Sequence, residues 1–409
     1  MHATVRVESI AAGGAGVSRV DGLVVFTPRT APGDLAEIRY TTRDRLAHGR
    51  LVRIVEPSSA RVTPRCGHFD GDRCGGCQLQ HLSGAAQREA KRRIVADAMA
   101  RIAKRPVEVA PVIPSPSDWE YRNKLTLAMR WRGGEWRAGL HQWDDVDRVF
   151  ALRECPITHP RVLDGWRAVL RAADALPRQA ELRGAVRLVD DTLAFILEGV
   201  ARWPQARDFA ERTPELAIVR WIDSQGRAHD VRDVDAERPA ASFGQVNPAM
   251  AARLHADVVE AVLATGARAV VDCYAGDGAT ALPLAEAGVR VTAIELDREA
   301  SAHAARRLPR GSLAVCARVE DALPLHLPAD VVILNPPRTG VDARVCAALE
   351  DARGPRAPHV VYVSCNPATL ARDLARLPSF RVLRVQPYDM FPQTAHVETL
   401  CVLTPEDRA

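Results

Sequence analysis

Two side chains near the carboxyl end of the sequence have the types and settings of a nucleophile and a base. Cys365 follows the apolar run 360–363 and precedes Asn366-Pro367, which interrupts a strand. Glu398 lies in an otherwise apolar run, two residues after His396 and on the same face of a predicted strand. A thiolate can add to an electrophilic carbon, and a desolvated carboxylate can remove a proton. Cys365 and Glu398 are therefore predicted to be catalytic.

A glycine-containing segment predicts a nucleoside ligand close to these residues. Gly276-Asp277-Gly278 follows the apolar run 269–274, and Glu295 ends the next apolar run, 23 positions after Asp272. Glycines after the first strand of a doubly wound sheet let a ligand approach the backbone, and an acid there can accept hydrogen bonds from ribose hydroxyls. The segment lacks the third glycine of a dinucleotide fingerprint, and Asp277 would repel a pyrophosphate. S-Adenosylmethionine is therefore predicted in preference to NAD.

A third group of residues has the types of metal ligands. Cys66 precedes the C-x-x-C pair formed by Cys74 and Cys77. Three soft ligands are one short of a tetrahedral site. Spacing alone leaves the fourth ligand open: His68 or His81 would complete a zinc site, and a distant fourth cysteine would suit either zinc or a 4Fe–4S cluster.

The pattern of apolar runs predicts the elements that position these residues. Residues 1–57 contain short strands between Gly and Pro turns, which predicts a small OB-like β-barrel. Residues 58–240 contain the cysteine segment, a helix over 84–105 and an irregular β-rich region. In residues 241–409 strands alternate with helices, which predicts an α/β fold with a doubly wound, mostly parallel sheet. Ligands of such sheets bind at the carboxyl ends of the strands, where Cys365 and the glycine segment fall.

The composition is that of an ordinary globular protein. The chain has 409 residues, is 47% hydrophobic and 26% charged, and carries a net charge of +4, which permits a nucleic-acid partner without requiring one. No apolar run reaches the ~18 residues of a membrane span, and the N-terminus lacks a signal-peptide pattern. We therefore expect a cytoplasmic protein without membrane association. Its nine cysteines would then serve metal binding or catalysis rather than disulfides.

Together the motifs resemble those of the RNA (uracil-5-)-methyltransferase family, which makes 5-methyluridine, and the resemblance extends over essentially the whole chain. The matching stretches are GGAG at 13–16 and PGD at 32–34, the cysteine segment at 66–77, SFGQVNP at 242–248, NPPRTG at 335–340, SCNP at 364–367 and HVE at 396–398. The resemblance implies a TRAM domain in the N-terminal barrel and a class I methyltransferase domain in residues 241–409. It also implies S-adenosylmethionine as cofactor and RNA as partner.

The resemblance further implies roles for individual residues. Cys365 would add to C6 of the uracil, and Glu398 would remove the C5 proton after methylation. The cofactor-contacting positions of the family match Gln245, Tyr274, Glu295 and Asn335. The cluster ligands of the family match Cys66, Cys74, Cys77 and the distant Cys155, which implies a 4Fe–4S cluster, with zinc as the alternative.

One departure from the family pattern leaves alternatives open. The family usually has an aspartate where this chain has Asn335, and NPP motifs also occur in methyltransferases that act on exocyclic amines. A non-catalytic RNA-binding relative and an amino-directed methyltransferase are therefore the alternatives to uridine C5 methylation. The barrel and the cluster favour 23S ribosomal RNA as the substrate, with transfer RNA second. A monomer is expected.

Overall fold

The strands in the described part of the chain form three sheets, one after another in sequence. The computed structural model describes residues 1–43, 46–189, 191–233, 244–351 and 358–406. The predicted boundary between residues 240 and 241, and the first two residues of the 242–248 motif, lie outside these ranges. The limits of the three predicted domains therefore stay predictions.

The first sheet curls back on itself. Its strands are β1 (His2–Arg6), β2 (Ser9–Ile10), β3 (Gly16–Val20), β4 (Leu23–Thr27), β5 (Leu35–Arg43) and β6 (Leu46–Glu56), in the order β1-β5-β6-β4-β3-β2. Only Val7 and Glu8 separate β1 from β2, and the Glu8 N–H donates to the Val17 carbonyl of β3 at 2.8 Å. The two ends of the strand order therefore meet, whereas the assignment as a TRAM domain stays a prediction.

Two helices follow the first sheet, α1 (Gly67–Asp70) and α2 (Gly84–Arg101). Helix α2 begins after Ser83, whose hydroxyl oxygen accepts a hydrogen bond from the Ala86 N–H at 3.3 Å. Its buried residues Val95, Ala98 and Met99 share one hydrophobic core with the last sheet of the protein. The predicted helix over 84–105 is thus confirmed with an earlier end, and it packs on a sheet far along the chain.

The second sheet has one face covered by a helix. Its elements are β7 (Lys124–Arg132), β8 (Glu135–Gly139), α3 (Pro160–Arg171), β9 (Glu181–Val189), β10 (Thr192–Glu198), α4 (Ala206–Arg212), β11 (Ile218–Ile222) and β12 (Ala228–Asp233). The strand order is β12-β11-β10-β9-β7-β8. Alternate residues of β7, such as Leu125 and Leu127, are buried together with Trp166 of α3. Strands β7 and β8 form an antiparallel hairpin whose turn contains Gly133 and Gly134.

The third sheet is the doubly wound sheet expected from the sequence. Its elements are α5 (Pro248–Leu263), β13 (Ala269–Cys273), α6 (Ala281–Glu286), β14 (Arg290–Glu295), α7 (Arg298–Arg307), β15 (Leu313–Cys316), α8 (Val319–Ala322), β16 (Val331–Leu334), α9 (Ala343–Asp351), β17 (His359–Ser364), α10 (Pro367–Ala375), β18 (Phe380–Tyr388) and β19 (Glu398–Pro405). The order is β15-β14-β13-β16-β17-β19-β18, in which β13 to β17 are parallel and β19 pairs antiparallel with both β17 and β18. The α/β fold with a mostly parallel sheet is confirmed.

Within the described ranges, no helix combines the length and the apolar character that a bilayer crossing requires.

Gly139 lets two backbone segments meet just before the chain reaches Cys155. A Cβ atom at Gly139 would lie 1.6 Å from the Phe150 carbonyl oxygen. Gly139→Ala is therefore expected to lower the free energy of unfolding by at least about 2 kcal/mol, because the backbones must separate. Urea unfolding followed by circular dichroism measures this loss. Gly84→Ala, in the first turn of α2, is the control, since its φ is not positive and the nearest atom to its added Cβ is the flexible end of Arg88 at 3.2 Å; equal, small losses in both variants would contradict the close approach.

Candidate active site

Cys365 lies in the turn between β17 and α10, at the carboxyl end of the strand. The Ser364 hydroxyl accepts a hydrogen bond from the Asn366 N–H at 3.2 Å. Asn366 then caps α10 by accepting from the Ala368 N–H at 3.1 Å, and Pro367 occupies the first turn of the helix. The sequence SCNP thus ends the strand and starts the helix within a few residues. It leaves the half-buried Cys365 at the point of reversal.

Glu398 is the first residue of β19 and lies beside Cys365. The antiparallel pairing of β17 with β19 aligns Ser364 with Thr399, so Cys365 and Glu398 each lie one residue beyond this last pair, and they are close enough for the Glu398 charge to act on the thiol. The Glu398 side chain is buried, and its Oε2 atom has no hydrogen-bond partner within the described residues. Burial raises the pKa of Glu398 to about 8, and the positive charge of Arg338 opposes this rise. A buried carboxyl with a free oxygen and a raised pKa suits a general base.

Arg338 is the third member of this group, and the helix after Cys365 holds its loop in place. The Asp373 carboxylate accepts a hydrogen bond from the Val341 N–H at 3.0 Å, and the Arg372 guanidinium donates to the Thr339 carbonyl at 2.8 Å. Burial and the Glu398 charge raise the pKa of the Cys365 thiol, whereas Arg338 lowers it. Arg338 therefore favours the thiolate, which is the nucleophilic form.

The glycine segment forms a strained turn at the carboxyl end of β13. Tyr274, Gly276 and Gly278 have positive φ values of 60°, 56° and 90°. Glu295, at the end of β14, accepts the Gly276 N–H through Oε2 at 2.9 Å and the Asp297 N–H through Oε1 at 2.8 Å. The predicted carboxylate therefore lies against the predicted glycine turn.

Asp272 is a further acid at this turn that the sequence analysis used only as a spacing marker. Its Oδ2 atom accepts a hydrogen bond from the Thr280 hydroxyl at 2.6 Å, while Oδ1 is buried without a partner in the part of the chain that the structure describes. Burial, reinforced by the Glu295 charge, raises the pKa of Asp272 to about 7, although the Thr280 bond opposes the rise. The sequence feature that could have indicated a functional role for Asp272 is its position as an acid in an otherwise apolar run.

The remaining cofactor candidates differ in their surroundings. Asn335 follows β16, and its N–H donates to the Cys273 carbonyl at 3.3 Å, so it lies at the same sheet edge as Tyr274 and Glu295. Gln245 is half-buried just ahead of α5. Left-handed glycines and an unpartnered buried carboxylate oxygen fit a nucleoside-containing ligand close to the backbone.

The four cysteines predicted as cluster ligands are neighbours. Cys66, Cys77 and Cys155 share one buried cluster with Phe69 and Tyr121, and all four thiols are free. Burial, with a smaller contribution from the other cysteines, raises the pKa of Cys74 to about 11. Among the described residues, no group of three or more histidine, cysteine, aspartate or glutamate side chains is arranged to hold a metal ion. The metal site therefore stays a prediction.

The two histidines considered as fourth ligands have other partners. His68 contacts Asp72 through Nδ1 at 2.7 Å, and its Nε2 accepts the N–H groups of Arg153 and Glu154 at 3.0 and 3.3 Å. Both of its ring nitrogens are engaged, so His68 fixes the chain just ahead of Cys155. His81 contacts the Thr30 carbonyl through Nε2 at 3.1 Å.

His396 differs from the prediction that placed it on one strand face with Glu398. Strand β19 begins at Glu398, and His396 lies in the preceding loop with an exposed side chain. The Thr394 hydroxyl oxygen accepts the His396 N–H at 3.2 Å, and Gln393 has a φ of 71°. These local bonds form a turn, so the alternation of a strand does not apply to His396.

The fold and the site define an α/β methyltransferase, and comparison with known proteins gives the family. The model of the tRNA (uracil-5-)-methyltransferase family matches residues 317–406. An uncharacterized RNA methyltransferase of Thermosynechococcus vestitus is 34% identical, covering 98% of this chain and 97% of its own. One from Halalkalibacterium halodurans is 31% identical, with coverages of 98% and 96%. The chain belongs to the RNA (uracil-5-)-methyltransferase family and is an RNA methyltransferase.

A solved structure shares the fold over nearly the full length. It is the tRNA (uracil-54, C5)-methyltransferase of Pyrococcus abyssi in complex with S-adenosyl-L-homocysteine. The TM-score is 0.71 at 23% identity, and the match covers 98% of this chain and 99% of that chain.

The buried carboxyl of Glu398 should make stability fall as pH rises. Its pKa is about 8 in the folded chain against an ordinary value of 4.5, so the folded state retains a proton that the unfolded state loses. The stabilisation is complete below the lower value and is lost as pH rises through the upper one, by up to about 1.4 kcal/mol per pH unit. Glu398→Gln removes this dependence.

Thermal unfolding midpoints measured from about pH 5 to pH 8.5 test this linkage, which spans the two pKa values. Wild-type protein should lose more stability over this range than Glu398→Gln. Glu286→Gln, at an exposed position of α6, is the control and should follow the wild type. Parallel curves for wild type and Glu398→Gln would show that the carboxyl is not held protonated.

Proposed function

We propose that this enzyme transfers a methyl group from S-adenosylmethionine to C5 of a uridine in RNA through a covalent adduct with Cys365. The observation that carries the proposal is the pairing of β17 with β19, which brings the thiol beside a buried carboxyl whose Oε2 atom has no partner among the described residues. Uracil C5 is a weak nucleophile, and addition of a thiolate at C6 converts the ring to an enolate whose C5 is reactive. Such chemistry needs one thiol and one base.

Cys365 and Glu398 act at different steps of the proposed reaction. The Cys365 thiol loses its proton to water, the resulting thiolate is favoured by the Arg338 charge, and its sulfur forms a bond to C6 while the ring electrons move to the enolate. S-Adenosylmethionine supplies an electrophilic methyl group when bound. Glu398 accepts the proton from C5, the C5–C6 double bond re-forms, and the bond from sulfur to C6 breaks. The target base must leave its stack to reach these side chains.

The cofactor is proposed to lie at the carboxyl ends of β13 and β14. Glu295 and Asp272 supply acceptor oxygens for hydroxyl groups, and the left-handed turn at Tyr274 admits a ligand to the backbone. Gln245 and Asn335 are proposed as further contacts. Asn335 retains an acceptor oxygen without the charge of an aspartate.

Ribosomal RNA of the large subunit is the proposed target, with transfer RNA as the alternative. The first sheet is proposed to act as a TRAM domain that binds RNA near the catalytic sheet. The Pyrococcus abyssi protein is a tRNA methyltransferase by name, which supports the alternative. Mass mapping of 5-methyluridine in 23S rRNA and tRNA, from cells with and without the gene, decides between them.

A covalent trap tests the proposed reaction. RNA with 5-fluorouridine in place of uridine has no C5 proton to remove, so the sulfur–C6 bond should persist after methyl transfer. Wild-type enzyme with S-adenosylmethionine and fluorinated cellular RNA should therefore form a protein–RNA adduct that survives denaturing electrophoresis. Cys365→Ala should form none, whereas Cys316→Ala, an exposed cysteine elsewhere, should behave as wild type.

Two outcomes would overturn this function. Methylation that persists in Cys365→Ala would point to an amino-directed methyltransferase. RNA binding without methyl transfer, with activity appearing in Asn335→Asp, would point to a non-catalytic relative.

We also propose that Cys66, Cys74, Cys77 and Cys155 hold a 4Fe–4S cluster. Their proximity, their burial and their free thiols support this proposal, because buried thiolates need a compensating cation. Such a group would link the cysteine segment to the chain around Cys155.

Metal analysis tests the cluster. Protein purified without oxygen should be brown and contain about four iron atoms and four sulfides per chain. Cys155→Ser should lower both contents, and Cys316→Ser should not. A colourless wild-type protein with one zinc and no sulfide would replace the cluster by the zinc alternative.

A further inference from the structure

The loop that leads into Glu398 is held by residues from the cysteine segment and helix α2. This loop, residues 389–397, connects β18 to β19. Three of its residues form hydrogen bonds with side chains in residues 78–91: the Asp389 carboxylate accepts one, and the backbone N–H groups of Gln393 and Ala395 each donate one. Elements early in the chain therefore hold the segment next to the proposed base.

Gln393 is the most constrained residue of the loop. Its φ of 71° lies in the left-handed region, which residues other than glycine rarely adopt. The Gln393 N–H donates to Gln87 Oε1 at 2.9 Å, and Gln87 Nε2 donates to Gln393 Oε1 at 2.9 Å. The Leu79 N–H donates to the Gln393 carbonyl at 2.9 Å. A backbone conformation that is unfavourable on its own is thus maintained by Gln87 and Leu79.

Helix α2 adds a second, charged contact one turn beyond Gln87. Lys91 is fully buried, and its ammonium group donates to Asp389 Oδ1 at 2.5 Å and to the Phe391 carbonyl at 2.9 Å. Residues 87 and 91 are four apart and share one face of the helix. The same face of α2 therefore forms hydrogen bonds with the start and with the middle of the loop.

The cysteine group contacts the loop through two of its neighbours. Gln78 follows Cys77 directly, and its Oε1 accepts the Ala395 N–H at 3.3 Å. Tyr121, which is buried with three of the cysteines, donates from its hydroxyl to the Pro392 carbonyl at 3.0 Å. Ala395 is three residues ahead of Glu398, so a shift of these contacts would change the position of the Glu398 carboxyl.

We propose that Gln87 and Gln78 are positioning residues for Glu398. They fix the 389–397 loop and, through it, aim the carboxyl at the C5 proton of the methylated adduct; this rests on the proposed function. Cys365 and Arg338 are held by β17 and α10 instead, so thiol addition and methyl transfer do not depend on the loop. Loosening the loop slows proton removal alone.

This separation predicts which species accumulates. When the proton stays on C5, the bond between the Cys365 sulfur and C6 cannot break, and the RNA remains attached with its new methyl group. Gln87→Met keeps the volume of the side chain and removes both of its bonds to Gln393. Gln78→Met removes the bond to Ala395 from the other side.

The test uses the full-length enzyme, ordinary uridine RNA from cells that lack the gene, and S-adenosylmethionine with a labelled methyl group. Each variant should show at least about tenfold lower kcat, equivalent to about 1.4 kcal/mol, with an unchanged KM for S-adenosylmethionine. Labelled protein–RNA adduct on denaturing gels should rise above the wild-type amount. Asp97→Asn, at an exposed position of α2 whose carboxylate pairs with Arg101 of the same helix, is the control and should keep wild-type kcat and adduct levels.

Two results would overturn the inference: lower kcat without excess labelled adduct, or unchanged kcat in both folded variants. Circular dichroism confirms folding, and Gln78→Met provides the test if Gln87→Met does not fold. The wild-type reaction with 5-fluorouridine RNA distinguishes a failure of the positioning role from a failure of the proposed function. An adduct there, together with no excess adduct in the variants, rejects the positioning role alone. No adduct there rejects the proposed function itself.

Discussion

The alignment of β17 with β19 is the constraint on which the site depends. Sheet hydrogen bonds fix the register, and a slip of one residue would turn Glu398 away from Cys365. Neither residue belongs to a flexible arm, because Glu398 opens β19 and Cys365 directly follows the last residue of β17. Five parallel strands end at this same edge, so the thiol, the base and the glycine turn meet without any long excursion of the chain.

Burial gives these groups their chemical character. A carboxyl in water would be ionised at neutral pH, whereas Glu398 is kept close to half-ionisation just above neutrality by its apolar surroundings. Arg338 moderates this effect and at the same time favours the neighbouring thiolate. The exposed Arg338 guanidinium therefore lowers the pKa of both the Cys365 thiol and the Glu398 carboxyl. Its loop is anchored to helix α10 through Asp373.

The sequence predicted those parts of the structure that leave a local pattern. The apolar run ending at Ser364 and the strand-breaking pair after it located Cys365, and alternating strands and helices gave the doubly wound sheet. Contacts between distant residues leave no such pattern. The amide pair of Gln87 and Gln393 joins residues 306 positions apart, and α2 packs on a sheet that no periodicity connects to it. The prediction for His396 was wrong because hydrophobic alternation does not reveal that the Thr394 hydroxyl accepts the His396 N–H and forms a turn.

The shared core of α2 and the third sheet also affects how the protein can be made. Ribosomes release the chain from its N-terminus, so Val95, Ala98 and Met99 emerge long before β18, with which they share a core. The apolar stripe of α2 must wait in contact with water, or be covered by a chaperone, until the last strands arrive. Many of the contacts are distant in sequence, a topology that slows folding. The nascent protein therefore completes its catalytic centre last.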